Sequence, residues 1–341
     1  MNNHTQPLLS VKDFRPHGEV QWCPGCGNYA VLSQLQKLLS ELGIPRENIV
    51  FISGIGCSSR LPYYINTYGF HTIHGRAPAV ATGLKLARPE LSIWIVSGDG
   101  DALSIGGNHT IHLLRRNVDV TMLLLNNQVY GLTKGQYSPT SRYGQITASS
   151  PYGMMEHHCN PLTLALGAGG AFVARTIDRD LKHLSAVLRQ AAEHKGASFV
   201  EIYQNCIVFN GTAFDEFVRK DVRDENILFV EHGMPLVFGY NRTKGIRLDG
   251  LKPYVVSLDN GMYSVNDVVV YDERDATLAF LVAKFSDMPE FPHPVGVLYR
   301  ERRLCYGEPT DSAGSIRHRR TTQPPTIESL LSSVGSIWKV E

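Results

Sequence analysis

The sequence lacks a strong charge of either sign: 33 lysines and arginines stand against 32 aspartates and glutamates in 341 residues, a formal net charge of +1. Nucleic-acid binding rests on a basic excess that neutralises phosphates, so the charge balance gives no reason to expect a DNA or RNA partner. Long apolar runs are missing too, none approaching the roughly 20 residues of a membrane span. The N-terminal stretch MNNHTQPLLSVKDFRPHGEV is polar and lacks the apolar core of a secretory signal. No internal repeat or low-complexity tract stands out. These absences lead to the expectation of a cytoplasmic protein without membrane partners, whose six cysteines are reduced or metal-bound rather than paired in disulfides. What is present is ample apolar material, 43% of the residues, enough for a large core in one large domain or two.

The clearest organisation lies between Leu91 and Gln136. Two apolar runs of strand type, residues 92–97 and 120–125, flank a segment of helical pattern and read as a strand–helix–strand unit. Each strand stops at oxygen-bearing residues, Gly98-Asp99-Gly100-Asp101 after the first and Asn126-Asn127 after the second. A right-handed crossover makes such strands parallel, with their C-terminal ends on the sheet edge where ligands of open α/β folds bind. Asp99 and Asn127 can therefore face one point. Their oxygens and the Val129 carbonyl make half of a hard octahedral site, of the kind Mg²⁺ completes with phosphate oxygens and water. Gly98 and Gly100 let the backbone approach a diphosphate, and a helix beginning near Asp101 offers it free N–H groups. The plainer reading has Asp and Asn capping two strand ends. In this setting, the Gly-Asp-Gly and Asn-Asn pair resemble the thiamine diphosphate motif.

Cysteine supplies a second pattern. Cys23-Pro24-Gly25-Cys26 precedes a helical stretch, residues 29–42, whose apolar positions include Val31, Leu32, Leu35, Leu38, Leu39 and Leu42. A thioredoxin-like dithiol needs a strand before it, whereas residues 1–20, with Pro16 and Gly18, read as an extended arm. A zinc site normally brings a second pair nearby, and only His71-x-x-His74 offers one. An iron–sulfur cluster needs four thiolates but not in two pairs. Cys57 follows a strand expected at 49–52 and Cys206 one at 198–204, so a single sheet edge can gather both with the Cys-x-x-Cys pair. Either cysteine alone reads as a small buried hydrophobe; four beside a diphosphate site favour a cluster. Cys159 and Cys305 lie away from strand ends and receive no role. His157-His158-Cys159 reads as a loop before a helix.

Trp-Cys-Pro-Gly-Cys-Gly at 22–27, Gly-Ile-Gly-Cys-Ser-Ser at 54–59, His-Gly-Arg-Ala at 74–77, Gly-Asp-Gly-Asp at 98–101, NNQVYGLTKGQYSPT from Asn126 and a late Cys206 together resemble the β subunit of 2-oxoacid:ferredoxin oxidoreductases. The resemblance spans residues 21 to about 211. It implies a [4Fe–4S] cluster on Cys23, Cys26, Cys57 and Cys206, and thiamine diphosphate with Mg²⁺ on Asp99, Asn127 and Val129. It implies oxidative decarboxylation of a 2-oxoacid with coenzyme A, the electrons passing to ferredoxin. Cofactor contacts are implied for Ile55, Gly56, Ser58, His74, Gly75, Gly98, Gly100, Asp101, Leu132 and Thr133. Leu132 would stand near the thiazolium, and Arg60 would be directed to the 2-oxoacid. Separateness from the α subunit and a long C-terminal part favour 2-oxoglutarate over pyruvate, branched-chain or aryl 2-oxoacids. The glutamate that activates the aminopyrimidine has no convincing candidate in this chain. In two-chain members it belongs to the α subunit, so half of an active site is expected here, in an αβ or (αβ)2 assembly.

Elsewhere, Pro78 suits the first turn of a helix at 79–87, and residues 134–161, rich in Gly, Ser, Thr and Tyr, read as a long loop over a site. A strand at 171–174 and a helix at 180–194 follow. After Asn210 come charged clusters and β-type fragments at 255–257 and 268–271. The expected division is an arm, 1–20, a cofactor domain, 21–211, and a C-terminal extension and tail, 212–341. The tail's Arg317-His318-Arg319-Arg320 reads as a solvated face or a ferredoxin dock. The expected fold is α/β, a parallel sheet with helices on both faces, the thiamine diphosphate-binding fold of the resembled family. Two other functions fit less of the pattern: a non-redox thiamine diphosphate decarboxylase or synthase needs no thiolates, and a zinc-stabilised interaction protein needs no diphosphate site.

Overall fold

Strands that are apolar on both faces require a helical layer on each side. The computed structural model, which describes residues 9–147, 149–308 and 326, has that arrangement. The elements run α1 (Asn28–Glu41), β1 (Ile49–Ser53), β2 (Tyr68–His71), α2 (Ala77–Ala87), β3 (Ser92–Gly98), α3 (Asp99–Leu103), α4 (Gly107–Arg115), β4 (Val120–Asn126), α5 (Pro161–Gly167), β5 (Phe172–Ile177), α6 (Leu181–Glu193) and β6 (Ala197–Tyr203). Then follow α7 (Asp215–Val218), α8 (Arg223–Asn226), β7 (Ile227–Val230), β8 (Val237–Phe238), β9 (Lys244–Asp249), β10 (Lys252–Ser257), α9 (Ala276–Ala283) and β11 (His293–Arg300). Among the described residues, eight strands form one sheet in the order β2-β1-β3-β4-β6-β5-β11-β7. Neighbours are parallel except where β11 runs antiparallel to β5. Strands β8 to β10 form a small antiparallel sheet.

Alternation along each strand sorts the core. Val50 and Ile52 of β1 pack on one face with Ala77 and Ala81 of α2, Leu113 and Leu114 of α4 and Leu162 of α5. Ile49 and Phe51 pack on the other with Val31 and Leu35 of α1 and Leu184 and Leu188 of α6. Each fully buried aliphatic side chain of this kind contributes about 1.5–3 kcal/mol. Asn160 caps α5 by accepting from the Leu162 and Thr163 amides, and Asp180 caps α6 by accepting from the His183 amide.

Several expectations change. The segment after β3 is two helices, the first beginning at Asp99 rather than near Asp101 and only five residues long. The described part of the arm is docked, not merely extended: residues Val11–Phe14 form a 3₁₀ turn and Phe14 is fully buried. The division expected after residue 211 falls inside the main sheet, because β7 and β11 from the later segment complete it. The chain divides instead into units Met1–Tyr306 and Gly307–Glu341. Of the second unit only residues 307, 308 and 326 are described, and the basic run 317–320 lies outside the described residues. Residues 268–271 form no strand; Val270 makes a single bridge to Pro235.

Candidate active site

Register places the two ligand-bearing strand ends together. Gly98 of β3 pairs with Leu125 of β4, so Asp99 and the Asn126-Asn127 turn follow strand ends at the same sheet edge, with Asn126 in register with Asp99. Asp99 is 2% exposed, and its Oδ2 accepts from Ser138 Oγ at 2.5 Å and Thr140 Oγ1 at 2.6 Å. Burial pushes its carboxyl up from the usual range, against the lowering effect of these hydroxyls. No ion pair reaches it among the described residues. A buried carboxylate held only by neutral donors is the type of group a hard cation neutralises. Ser138 and Thr140 come from the long loop between β4 and α5; they close the NNQVYGLTKGQYSPT stretch, but sequence alone gave them no role.

Asn127 Oδ1 accepts from the Val129 amide at 3.2 Å, and its Nδ2 donates to Gln204 Oε1 at 3.1 Å. At Gly98 an added Cβ would lie 3.3 Å from Ser58 Oγ, which brings expected cofactor residues Gly98 and Ser58 into contact. At Gly100 the space of a Cβ is filled by the Tyr130 ring at 2.3 Å, and Tyr130 donates from its hydroxyl to the Gly100 carbonyl at 2.9 Å. That glycine is required by packing.

Asp101 turns its side chain inward. Both its oxygens are engaged inward, Oδ1 with the amides of Ile55 (3.1 Å) and Gly75 (2.7 Å) and with His74 Nδ1 (2.5 Å), and Oδ2 with Ser97 Oγ (2.5 Å). Two per cent exposed, it ties the loops after β1 and β2 to the end of β3. Asp101 is therefore a positioning residue, and it acts on Ile55, His74 and Gly75, three of the residues expected at the cofactor. Because the carboxylate can only accept, His74 donates from Nδ1, and Nε2 takes no part in this contact.

The four expected thiols line a single cavity of about 240 Å³. Asn127, Gly131, Leu132 and Arg60 line it as well. Local chemistry explains the convergence. Gly25 takes a φ of +80° so that the Cys26 amide can turn back onto the Cys23 carbonyl at 3.0 Å. Trp22 Nε1 donates to the Cys57 carbonyl at 2.7 Å. The Gly27 amide donates to the Asn205 carbonyl at 3.1 Å, joining the Cys26 turn to the segment that carries Cys206. At Gly131 an added Cβ would lie 3.5 Å from Cys206 Sγ and 3.6 Å from Cys57 Sγ.

Burial pushes the Cys26 thiol up to about 11, and the other three cysteines add to it. Burial likewise raises Cys57, followed by Cys206 and Cys23, while Arg60 opposes. Thiols that repel one another in a common cavity are stabilised as thiolates by a bound metal centre. Among the described residues no three His, Cys, Asp or Glu side chains stand together as ligands of one ion. Thiols spread around a cavity fit a polynuclear iron–sulfur group better than a single zinc ion.

Arg60 lies on this cavity with its guanidinium bound to the Gln21 carbonyl at 3.3 Å. Leu132 is 51% exposed, and Thr133 Oγ1 donates to Gln136 Oε1 at 2.5 Å within an exposed turn. Cys159 and Cys305 lie outside the thiol cavity. A second cleft of about 600 Å³, unforeseen from the sequence, opens behind Asn126 and has Arg175, Glu201 and His158 among its walls. His158 pairs with Asp287 at 3.1 Å, so the adjacent His-His-Cys run serves a contact to the 3₁₀ turn Lys284–Asp287.

An α/β sheet whose strand ends gather a buried aspartate, an asparagine turn and glycine-bearing loops is the architecture of the thiamine diphosphate enzymes. Residues 54–202 match the family model for the thiamine pyrophosphate enzyme C-terminal TPP-binding domain. The chain is 53% identical over 333 residues to the 2-oxoglutarate oxidoreductase subunit KorB of Mycobacterium tuberculosis, covering 97% of this chain and 88% of that protein. It is 45% identical over 209 residues to the 2-oxoacid:ferredoxin oxidoreductase 1 subunit beta of Aeropyrum pernix, covering 61% and 66%. Among solved structures, the 2-oxoglutarate:ferredoxin oxidoreductase of Magnetococcus marinus, with 2-oxoglutarate, coenzyme A and succinyl-CoA bound, superposes with a TM-score of 0.74 at 31% identity over 98% of each chain. The chain belongs to the β subunits of the 2-oxoacid:ferredoxin oxidoreductases, one part of a heteromeric enzyme.

Proposed function

We propose that this chain, with a cognate α subunit in an αβ or (αβ)2 assembly in the cytoplasm, carries out the coenzyme A-dependent oxidative decarboxylation of 2-oxoglutarate and passes the electrons to ferredoxin. The observation that carries the reading is the shared wall: the cavity of Cys23, Cys26, Cys57 and Cys206 is also lined by Asn127 and Leu132, from the loop that bears the diphosphate motif. A one-electron centre and the carbon chemistry would thus adjoin. The 2-oxoglutarate choice is supported by the names of the Mycobacterium relative and the Magnetococcus structure.

In this reading, Asp99, Asn127 and the Val129 carbonyl hold Mg²⁺ and, through it, the diphosphate; Gly98, Ser58 and the loop at Ile55 and Gly56 close around it. Asp101 orders that loop and His74-Gly75. Thiamine diphosphate supplies the electron sink for decarboxylation, and a [4Fe–4S] group on the four cysteines supplies the electron outlet. Arg60, a fixed cation beside the thiols, attracts anionic substrate and favours the thiolate form of Cys57. The test is anaerobic reconstitution. The chain alone is expected to contain iron and to give no coenzyme A-dependent viologen reduction with 2-oxoglutarate; addition of the α subunit is expected to start it. Turnover by the single chain would place the activating carboxylate within these residues, and an active, iron-free heteromer would favour a non-redox decarboxylase.

A further inference from the structure

Gln204 directly follows β6 at the sheet edge, is 1% exposed, and had no part in the quoted sequence motifs. Its carboxamide is fully committed. Oε1 accepts from Asn127 Nδ2 at 3.1 Å, and Nε2 donates to the Asn205 carbonyl at 2.6 Å and to Cys26 Sγ at 3.5 Å. One buried side chain thus touches both a residue of the diphosphate loop and a thiol of the cysteine cavity. The amide cannot be turned round without setting its NH₂ against Asn127 Nδ2 and its oxygen against the sulfur, so its orientation is fixed by both partners.

From this we propose that Gln204 is a positioning residue that couples the two centres. The inference rests on the reading of the four thiols as cluster ligands and of Asn127 as a metal ligand. Its Oε1 keys the Asn127 amide: by holding Nδ2, together with the Val129 amide that donates to Oδ1, it keeps Oδ1 as the end of that amide whose second lone pair can face a cation. Its Nε2–H supplies a hydrogen bond to the Cys26 sulfur. Sulfur becomes more electron-rich when an iron–sulfur group is reduced, so a donor aimed at it stabilises the reduced state and raises the potential. A single amide therefore sets ligand orientation on one side and electron affinity on the other.

Two substitutions separate these tasks. Gln204→Glu keeps an oxygen for Asn127 but removes the N–H directed at Cys26; Gln204→Met removes both. Each is made in the anaerobically purified heteromer and measured for iron content, retained thiamine diphosphate and Mg²⁺ after gel filtration, and midpoint potential by dye-mediated titration followed by electron paramagnetic resonance. Both variants are expected to keep their iron and to shift the one-electron equilibrium toward the oxidised state, by roughly tenfold or about 59 mV. Only Gln204→Met is expected to lose retained Mg²⁺ and thiamine diphosphate. If Q204M fails to assemble, Q204E decides through its potential. Unchanged potentials, or iron loss in Q204E, would reduce Gln204 to a packing residue and overturn the proposal. Absence of iron from the unaltered heteromer would instead refute the cluster reading, and this inference with it.

Discussion

Replacing Asp101 tests whether one buried carboxylate orders the cofactor loops. In Asp101→Ala the amides of Ile55 and Gly75 and the Nδ1 of His74, whose side chain is 42% exposed, all lose an acceptor that is itself 2% exposed. A buried donor left unsatisfied costs about 1–3 kcal/mol, and water entering the small space offsets part of that, so the destabilisation expected is about 3–5 kcal/mol. Asp101→Asn behaves differently. Its amide oxygen can take the place of Oδ1 for all three donors, while its NH₂ faces Ser97, whose hydroxyl can turn from donor to acceptor. The loss there is the charge assistance alone, about 1–2 kcal/mol.

Hydrogen exchange by mass spectrometry on peptides covering Ile55 and Gly75 reads the local effect. Opening that becomes easier by about 3 kcal/mol accelerates exchange roughly a hundredfold in the alanine variant, against about tenfold in the asparagine variant. Gly54→Ala provides an independent check, since its Cβ would fall 1.7 Å from Asp101 Oδ2 and must displace the carboxylate. Unchanged exchange in Asp101→Ala would mean that the loops are ordered by something else, and the positioning role would fall.

Asp99→Ala is expected to abolish retention of thiamine diphosphate while leaving iron content intact; equal retention by equilibrium dialysis would sink the metal-ligand assignment. Cys57→Ser and Cys206→Ser should each lose most of the iron measured by elemental analysis, whereas Cys159→Ser and Cys305→Ser should lose none, and full iron without Cys206 would require another fourth ligand. Acid lability is expected from three histidines kept neutral chiefly by burial: His183 and His194, whose pKa values fall to about 4, and His293, to about 3. An unfolded chain takes up protons on them near pH 6.5 and the folded chain does not, so stability is full above about 6.5 and declines as pH falls toward about 4. His293→Phe, at a ring already stacked 3.7 Å from Phe217, should flatten that decline in urea midpoints measured against pH, and an unaltered slope would contradict the burial argument.

Much of this arrangement can be read in sequence because periodicity and strand-end chemistry act locally. The runs at β3 and β4 are apolar on both faces and end abruptly in Asp and Asn, and the structure extends each by one residue. What could not be read depends on neighbours distant in the chain. Asp99 and Asp101 are alike as letters, and only the turn of α3 sends one toward Ser138 and Thr140 and the other into the loops after β1 and β2. The edge strand β2 exposes all four residues, so it has no alternation to betray it. Strand β11 takes its place in the sheet by pairing with β5 and β7, a choice made by tertiary packing. Arg175 and Glu201 would pass for surface charges, yet they form an ion pair with side chains 2% and 0% exposed, whose rupture costs about 3–5 kcal/mol.

That ion pair bears on the metal reading through the hydroxyl of Thr140. Glu201 Oε1 accepts from Asn126 Nδ2 at 2.7 Å, which fixes Asn126 with its Oδ1 toward Thr140 Oγ1 at 2.8 Å. The same hydroxyl stands 2.6 Å from Asp99 Oδ2. One proton cannot serve both oxygens at once, but Asn126 Oδ1 also accepts from the Gln128 amide at 3.1 Å and Asp99 Oδ2 from Ser138 Oγ at 2.5 Å, so each keeps a donor whichever way Thr140 turns. What these neutral donors do not remove is the charge of a carboxylate that is 2% exposed, which is expensive in a low-dielectric setting. A divalent cation on Asp99 would neutralise it. The support for the proposed cation thus comes from the burial of the Asp99 charge, on grounds separate from the motif that first suggested it.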